Sequence, residues 1–75
     1  MTPAAAKVRV GEALLRVNPN AFGRKGRLGG VGMTITPNGD RFDILLVNTG
    51  TKATEYRQAI VTALGKYAGY IETTS

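Results

Sequence analysis

Apolar side chains fall on every second position between residues 31 and 47. Val31, Met33 and Ile35 alternate with Gly32, Thr34 and Thr36, and Phe42, Ile44 and Leu46 alternate with Asp43, Leu45 and Val47. Period two is the repeat of a half-buried strand. Between the two runs stands Pro37-Asn38-Gly39-Asp40, four residues each suited to a turn. The pattern predicts an antiparallel hairpin over about 30–36 and 41–48. With Pro37–Asp40 as a four-residue loop, Ile35 faces Phe42, Met33 faces Ile44 and Val31 faces Leu46. A one-residue slip would turn one strand over and set Phe42 against Thr34.

The repeat then changes to that of a helix. Ala53, Tyr56, Ile60, Ala63, Leu64, Tyr67 and Ile71 form one stripe at helical spacing, with Gln58, Thr62 and Lys66 opposite. The expected C-terminal helix covers about 52–68, with Thr51 as N-cap, Glu55 in the first turn and Gly69 just past the end. Gly65 inside it reads either as a close approach to a neighbouring element or as a tolerated surface glycine.

At the N-terminus, Thr2-Pro3 has the form of a helix start, and Ala6, Val10, Ala13, Leu14 and Val17 make a helical stripe. The reading adopted is a helix over 3–17, closed by Asn18-Pro19-Asn20. The alternation Lys7-Val8-Arg9-Val10, with Gly11 after it, leaves a strand as the alternative. The order is α-β-β-α, an α+β fold in one small domain spanning 1–75. Two strands alone make a marginal sheet. A third is expected from Lys7–Val10, from Tyr70–Thr74 or from a second subunit, and neither strand of the hairpin carries an internal proline or lysines to protect its edge.

Seventy-five residues bury a thin core, and with no cysteine and no histidine neither a disulfide nor a Cys/His metal site can staple it. A homodimer is the expectation from size. The missing residues also remove Cys–His and Ser–His nucleophilic chemistry and a histidine base. The five carboxylates, Glu12, Asp40, Asp43, Glu55 and Glu72, are scattered. The chain is therefore read as non-enzymatic and without a cofactor. It has no apolar run long enough to span a membrane and no signal-peptide pattern, so a cytoplasmic protein without a membrane partner is the default.

Charge changes the picture most. Residues 1–30 hold six cations (Lys7, Arg9, Arg16, Arg24, Lys25 and Arg27) against Glu12, whereas residues 31–75 hold four of each sign, so the whole net charge of +5 lies in the first 30 residues. The segment Gly23-Arg24-Lys25-Gly26-Arg27-Leu28-Gly29-Gly30 joins three of those cations to four glycines. Little side-chain bulk and much positive charge suit contact with phosphate. Candidate binding residues are Arg24, Lys25 and Arg27, extended by Arg16, Arg9 and Lys7, with Gly26 and Gly29 permitting close approach. The bland alternative is a polar connector whose cations aid solubility. Gly23-Arg24-Lys25-Gly26 fits the GXXG string of KH domains, but a strand follows where that fold needs a second helix, so the match is read as chance. No P-loop or dinucleotide fingerprint is present. Phe42, Tyr56 and Tyr67 fall on core stripes, leaving Phe22 and Tyr70 as the two aromatics free to stack.

The function expected is a nucleic-acid-binding module held through phosphates. A protein-interaction or inhibitor module, for example a phage-encoded blocker docking on an acidic partner, is the alternative, with an anionic-nucleotide binder at a subunit interface after that.

Overall fold

The structure is a computed structural model that describes residues 1–23 and 30–75. Its elements are α1 (Pro3–Val17), β1 (Gly32–Asn38), β2 (Arg41–Val47), α2 (Ala53–Leu64) and β3 (Ala68–Thr73), with short 3-10 turns at Gly50–Lys52 and Gly65–Tyr67. The strands form one sheet in the order β1-β2-β3. Both helices lie on one face of it, making a two-layer α+β domain.

The N-terminal helix forms as its sequence signals direct. Thr2 adopts an extended backbone and its hydroxyl accepts from the Ala5 N–H at 3.1 Å, Pro3 opens the helix, and Asn18 closes it by donating its N–H to the Leu14 carbonyl. Ala6, Val10, Ala13 and Leu14 are buried. Packing of that stripe outweighs the helix-breaking tendency of Gly11 and the strand-like alternation around Val8.

The hairpin forms, but in a different register from the expected one. Ile35 pairs with Ile44, Met33 with Leu46 and Pro37 with Phe42, and the loop is only Gly39-Asp40. Gly39, at φ +65°, takes the first loop position, a two-residue arrangement whose twist matches the strands it joins. Pro37 and Asn38 are thereby drawn into β1. The shift is two residues per pair, so no side chain changes face. Phe42, Ile44 and Leu46 are buried as expected, and Met33 and Ile35 pack half-buried against them. Contrary to the sequence expectation, β1 does contain an internal proline, tolerated because β1 is an edge strand.

The third strand is the C-terminal one, starting two residues earlier than Tyr70. It runs parallel to β2, with α2 as the crossover that a parallel pair requires. The helix stops at Leu64 rather than near residue 68. Gly65 ends it, with φ +55° and ψ −123° and its N–H bonded to the Val61 carbonyl. A Cβ at Gly65 would meet nothing within 4 Å, so its role is the backbone turn and not a close approach. Lys52, not Thr51, is the N-cap and makes no side-chain cap. Gly69, expected to follow the helix, lies inside β3. There the register shifts by one residue between Phe42 and Ile44, and the Asp43 carboxylate fills the irregularity. It accepts from the Tyr70 N–H at 2.9 Å and from Asn38 Nδ2 at 3.1 Å. A Cβ at Gly69 would collide with Asp43 Oδ1, so the side chain that mends the ladder also requires the glycine.

The core joins Val10 and Leu14 of α1 to Tyr56, Ile60 and Leu64 of α2 and to Phe42, Ile44, Leu46 and Ile71 of the sheet. Tyr56 is buried, and its hydroxyl accepts from Asn18 Nδ2 at 3.1 Å, tying the end of α1 to α2. Beyond β2, buried Thr49 fastens the end of β3. Its N–H and its hydroxyl both donate to the Thr74 carbonyl at 3.1 Å, and the Thr74 N–H donates to the Leu46 carbonyl at 2.9 Å.

The face assignment of β2 is tested by parity. Ile44→Ala and Leu64→Ala each cost about 2–5 kcal/mol in chemical denaturation. Leu45→Ala, half-buried on the uncovered face, costs less than about 1 kcal/mol. Equal costs at positions 44 and 45 would show that both faces of the sheet are covered.

Candidate nucleic-acid interface

The chain leaves α1 through two consecutive turns. The Ala21 N–H donates to the Asn18 carbonyl and the Gly23 N–H to the Asn20 carbonyl, both at 2.9 Å. The Asn18 side chain accepts from the Asn20 N–H at 3.0 Å, an Asx turn that directs the chain out of the helix. Ala21 is buried, which fixes where the turn sits.

The returning strand is pinned to this point. The Val31 N–H donates to the Ala21 carbonyl at 2.7 Å. Gly30 lies so close that a Cβ on it would collide with the Phe22 carbonyl group and lie 2.6 Å from the Gly23 nitrogen. Asn48, in the left-handed region at φ 60°, reaches from the end of β2 to donate to the Gly30 carbonyl at 3.2 Å. Residues 21–23 and 30–31 therefore form a closed neck. Two glycines of the basic segment serve this neck: Gly23 adopts φ +87°, and Gly30 permits backbone to touch backbone.

Arg24, Lys25, Gly26, Arg27 and Gly29 lie outside the described residues. The other candidates are on α1 and are exposed. At 100° per residue, Lys7 and Arg9 lie 200° apart around the helix, whereas Arg9 and Arg16 are nearly in line and about 10 Å apart along its axis. Arg16 and Arg9 thus form one row toward the neck end of α1. Lys7 stands apart, lining a groove with Pro3, Ala4 and the β1 residues Met33, Thr34 and Ile35. Arg16 lies 4.0 Å from Glu12, an exposed pair that leaves its charge largely available.

Cations in the second half of the chain are mostly engaged. Lys52 pairs with Glu55 at 3.6 Å, Arg57 Nη2 donates to Thr73 Oγ1 at 3.3 Å, and Lys66 stands 5.2 Å from the Tyr67 ring. Phe22 (41% exposed) sits at the neck, and Tyr70 (68% exposed) lies on the uncovered sheet face. Tyr70 is beside Asp43, near the hairpin turn, whereas the neck is at the opposite end of β1. The two aromatics are not brought to one surface. Among the described residues no group of three or more His, Cys, Asp or Glu could hold a metal ion, and no helix is long and apolar enough to cross a membrane.

Comparison of the chain with protein-family models, curated proteins and solved structures finds no match to any of them. The reading of this surface rests on its own chemistry.

The neck itself escapes a reading of residue types, because backbone groups make it. Its only side-chain signals are Asn18 and Asn48, both common at turns. Gly30→Ala is expected to cost about 1–3 kcal/mol by forcing the two backbones apart, read as a drop of several degrees in melting temperature. Arg16→Ala leaves the melt within about 0.5 kcal/mol of the parent. A Gly30→Ala protein melting with the parent would show the neck to be open.

Proposed function

We propose that this chain is a non-enzymatic binding module that holds nucleic acid through its phosphates. Arg24, Lys25 and Arg27 supply the main contacts from the segment that leaves and re-enters the neck. Arg16 and Arg9 extend the positive surface along α1, and Lys7, on the other flank, adds only to the field. Gly26 and Gly29 keep bulk off the segment, so that backbone N–H groups can approach phosphate oxygens.

The observation that supports this reading most is the closed neck beside the Arg16 row. The sequence between the two sides of that neck carries three cations in six residues, in a protein whose net charge of +5 is confined to residues 1–30. Concentrating charge in this way raises the local potential and favours a polyanion over a single small anion. Phe22 offers a ring at the same base for stacking on an unpaired base. Nothing in the chain has the form of a base-reading motif, so binding is expected to be independent of sequence.

Replacement of Arg24, Lys25 and Arg27 by alanine leaves the melting temperature almost unchanged, because the core side chains of α1, α2 and the sheet stay as they are. Affinity for DNA and RNA falls alike for all sequences, and the slope of log K against log salt shrinks by up to about three. Fluorescence anisotropy with labelled oligonucleotides over a salt series measures both. A parent protein that binds no nucleic acid at low salt would sink this reading and move the chain to the interaction or inhibitor class.

A further inference from the structure

We propose that the free edge of β1 is a self-complementary dimer surface, on which a second copy of this chain pairs antiparallel about a two-fold axis at Thr34. Alternation along β1 decides which of its backbone groups point outward. Asn38 and Arg41 flank the two-residue turn and make the hydrogen-bonded closing pair, so alternation directs the groups of residues 36, 34 and 32 toward β2. The groups of residues 31, 33, 35 and 37 face away. Two observations agree with that parity: the Val31 N–H is bonded to Ala21, outside the sheet, and residue 37 is the proline whose missing N–H costs nothing at an edge.

The open edge is therefore short. Val31 has its N–H committed and Pro37 has none, leaving the N–H and C=O groups of Met33 and Ile35 as the exposed pairing set. A second copy meets this set completely. With Met33 of one chain opposite Ile35 of the other, each pair exchanges two hydrogen bonds, four in all, and no N–H is left over. Shifting the pairing by two residues in either direction still forms four bonds but leaves the Met33 or the Ile35 carbonyl opposite a residue with no free N–H, whereas this register sets the two positions without a free N–H, Val31 and Pro37, against each other.

Side chains and charge agree with this geometry. β1 carries no charged side chain from Gly32 to Asn38, whereas β3, the other edge strand, carries Glu72. Pairing along β1 therefore sets no like charges of the strands against each other, and Lys7 at the rim of the neighbouring groove is the cation nearest the edge. On the helix side of the sheet, Met33 and Ile35 are only half-buried and border the groove of about 380 Å³ with Pro3, Ala4 and Lys7. The partner's Met33 and Ile35 would enter this groove, covering apolar surface that α1 leaves open. On the other face, exposed Thr34 meets its own counterpart in a non-hydrogen-bonded pair, where side chains stand closest. The two necks then lie about 26 Å apart along the strand direction, at about 3.3 Å per residue. The dimer would thus present its two basic segments on one six-stranded sheet.

The inference does not depend on nucleic-acid binding, and its test uses the protein alone. Sedimentation equilibrium is expected to show a dimer at about 100 µM. Thr34→Glu and Thr34→Lys each place like charges at the axis and weaken the dimer about tenfold or more, with unchanged melting of the monomer because Thr34 is exposed. An equimolar mixture of the two variants restores dimers as the mixed pair. In this cysteine-free chain, Thr34→Cys crosslinks under mild oxidation. Thr36→Cys does not, because its counterpart would lie four residues away along the partner strand. A monomeric parent at 100 µM or so, a dimer indifferent to charge at position 34, or equal crosslinking at positions 34 and 36 would overturn the proposal.

Discussion

Everything in this domain is assembled against one face of β2. Among the described residues it is the only strand with neighbours on both sides, and its alternate residues Phe42, Ile44 and Leu46 are most of the sheet's share of the core. Each other element has a place because it covers those three side chains or continues their ladder. α1 brings Val10 and Leu14, α2 brings Tyr56, Ile60 and Leu64, and β3 sets Ile71 beside Ile44. A chain of this length has one core to build and little area to spare. Positions that turn the chain toward β2 therefore matter as much as those buried on it. Asn18 illustrates the point: its backbone N–H caps α1, and its side chain forms the exit turn and bonds the buried Tyr56 hydroxyl, so one residue links helix end, loop direction and core.

Much of this was legible from periodicity. The apolar face of the hairpin and the Tyr56–Ile60–Leu64 stripe follow from spacings that only one repeat satisfies, and over 3–17 the helical stripe and the Thr2-Pro3 start prevailed over the strand-like alternation at residues 7–10. Faces were easier to read than partners. Two hairpin registers that differ by two residues per pair bury the same side chains, so burial cannot choose between them. The choice fell to the turn, where a two-residue loop with Gly39 at positive φ suits the strand twist better than the longer loop centred on Pro37. The C-terminal segment misled for a related reason: Tyr67 and Ile71 continue the helical stripe in phase, yet Gly65 breaks the helix and Ile71 reaches the core from a parallel strand.

The candidate site was legible in composition and illegible in geometry. Clustered Arg24, Lys25 and Arg27 stand out in any charge count, as does the balance of sign beyond residue 30. The neck does not, since a hydrogen bond from the Val31 N–H to the Ala21 carbonyl leaves no trace in residue type. Geometry also divides what composition had grouped. Arg9 and Arg16 share a row leading to the neck, but Lys7 faces the groove beside β1, and Phe22 and Tyr70 stand at different ends of the molecule.

That division gives the molecule two unlike surfaces. Toward the neck the sequence concentrates positive charge, which repels a second copy there, an effect that salt screens over about 10 Å. β1 itself carries no charged side chain, only unpaired amides and half-buried apolar side chains beside Lys7. In a +5 chain of this size, self-association through the basic end would be opposed by its own field, and an edge strand without charged side chains lessens that opposition. The blocked N–H of Val31 and the missing N–H of Pro37 then limit what the edge accepts, because a longer strand would leave donors or acceptors unmatched. Restricting the edge to Met33 and Ile35 favours a partner with the same two-residue vacancy, and a second copy of the chain has it by symmetry.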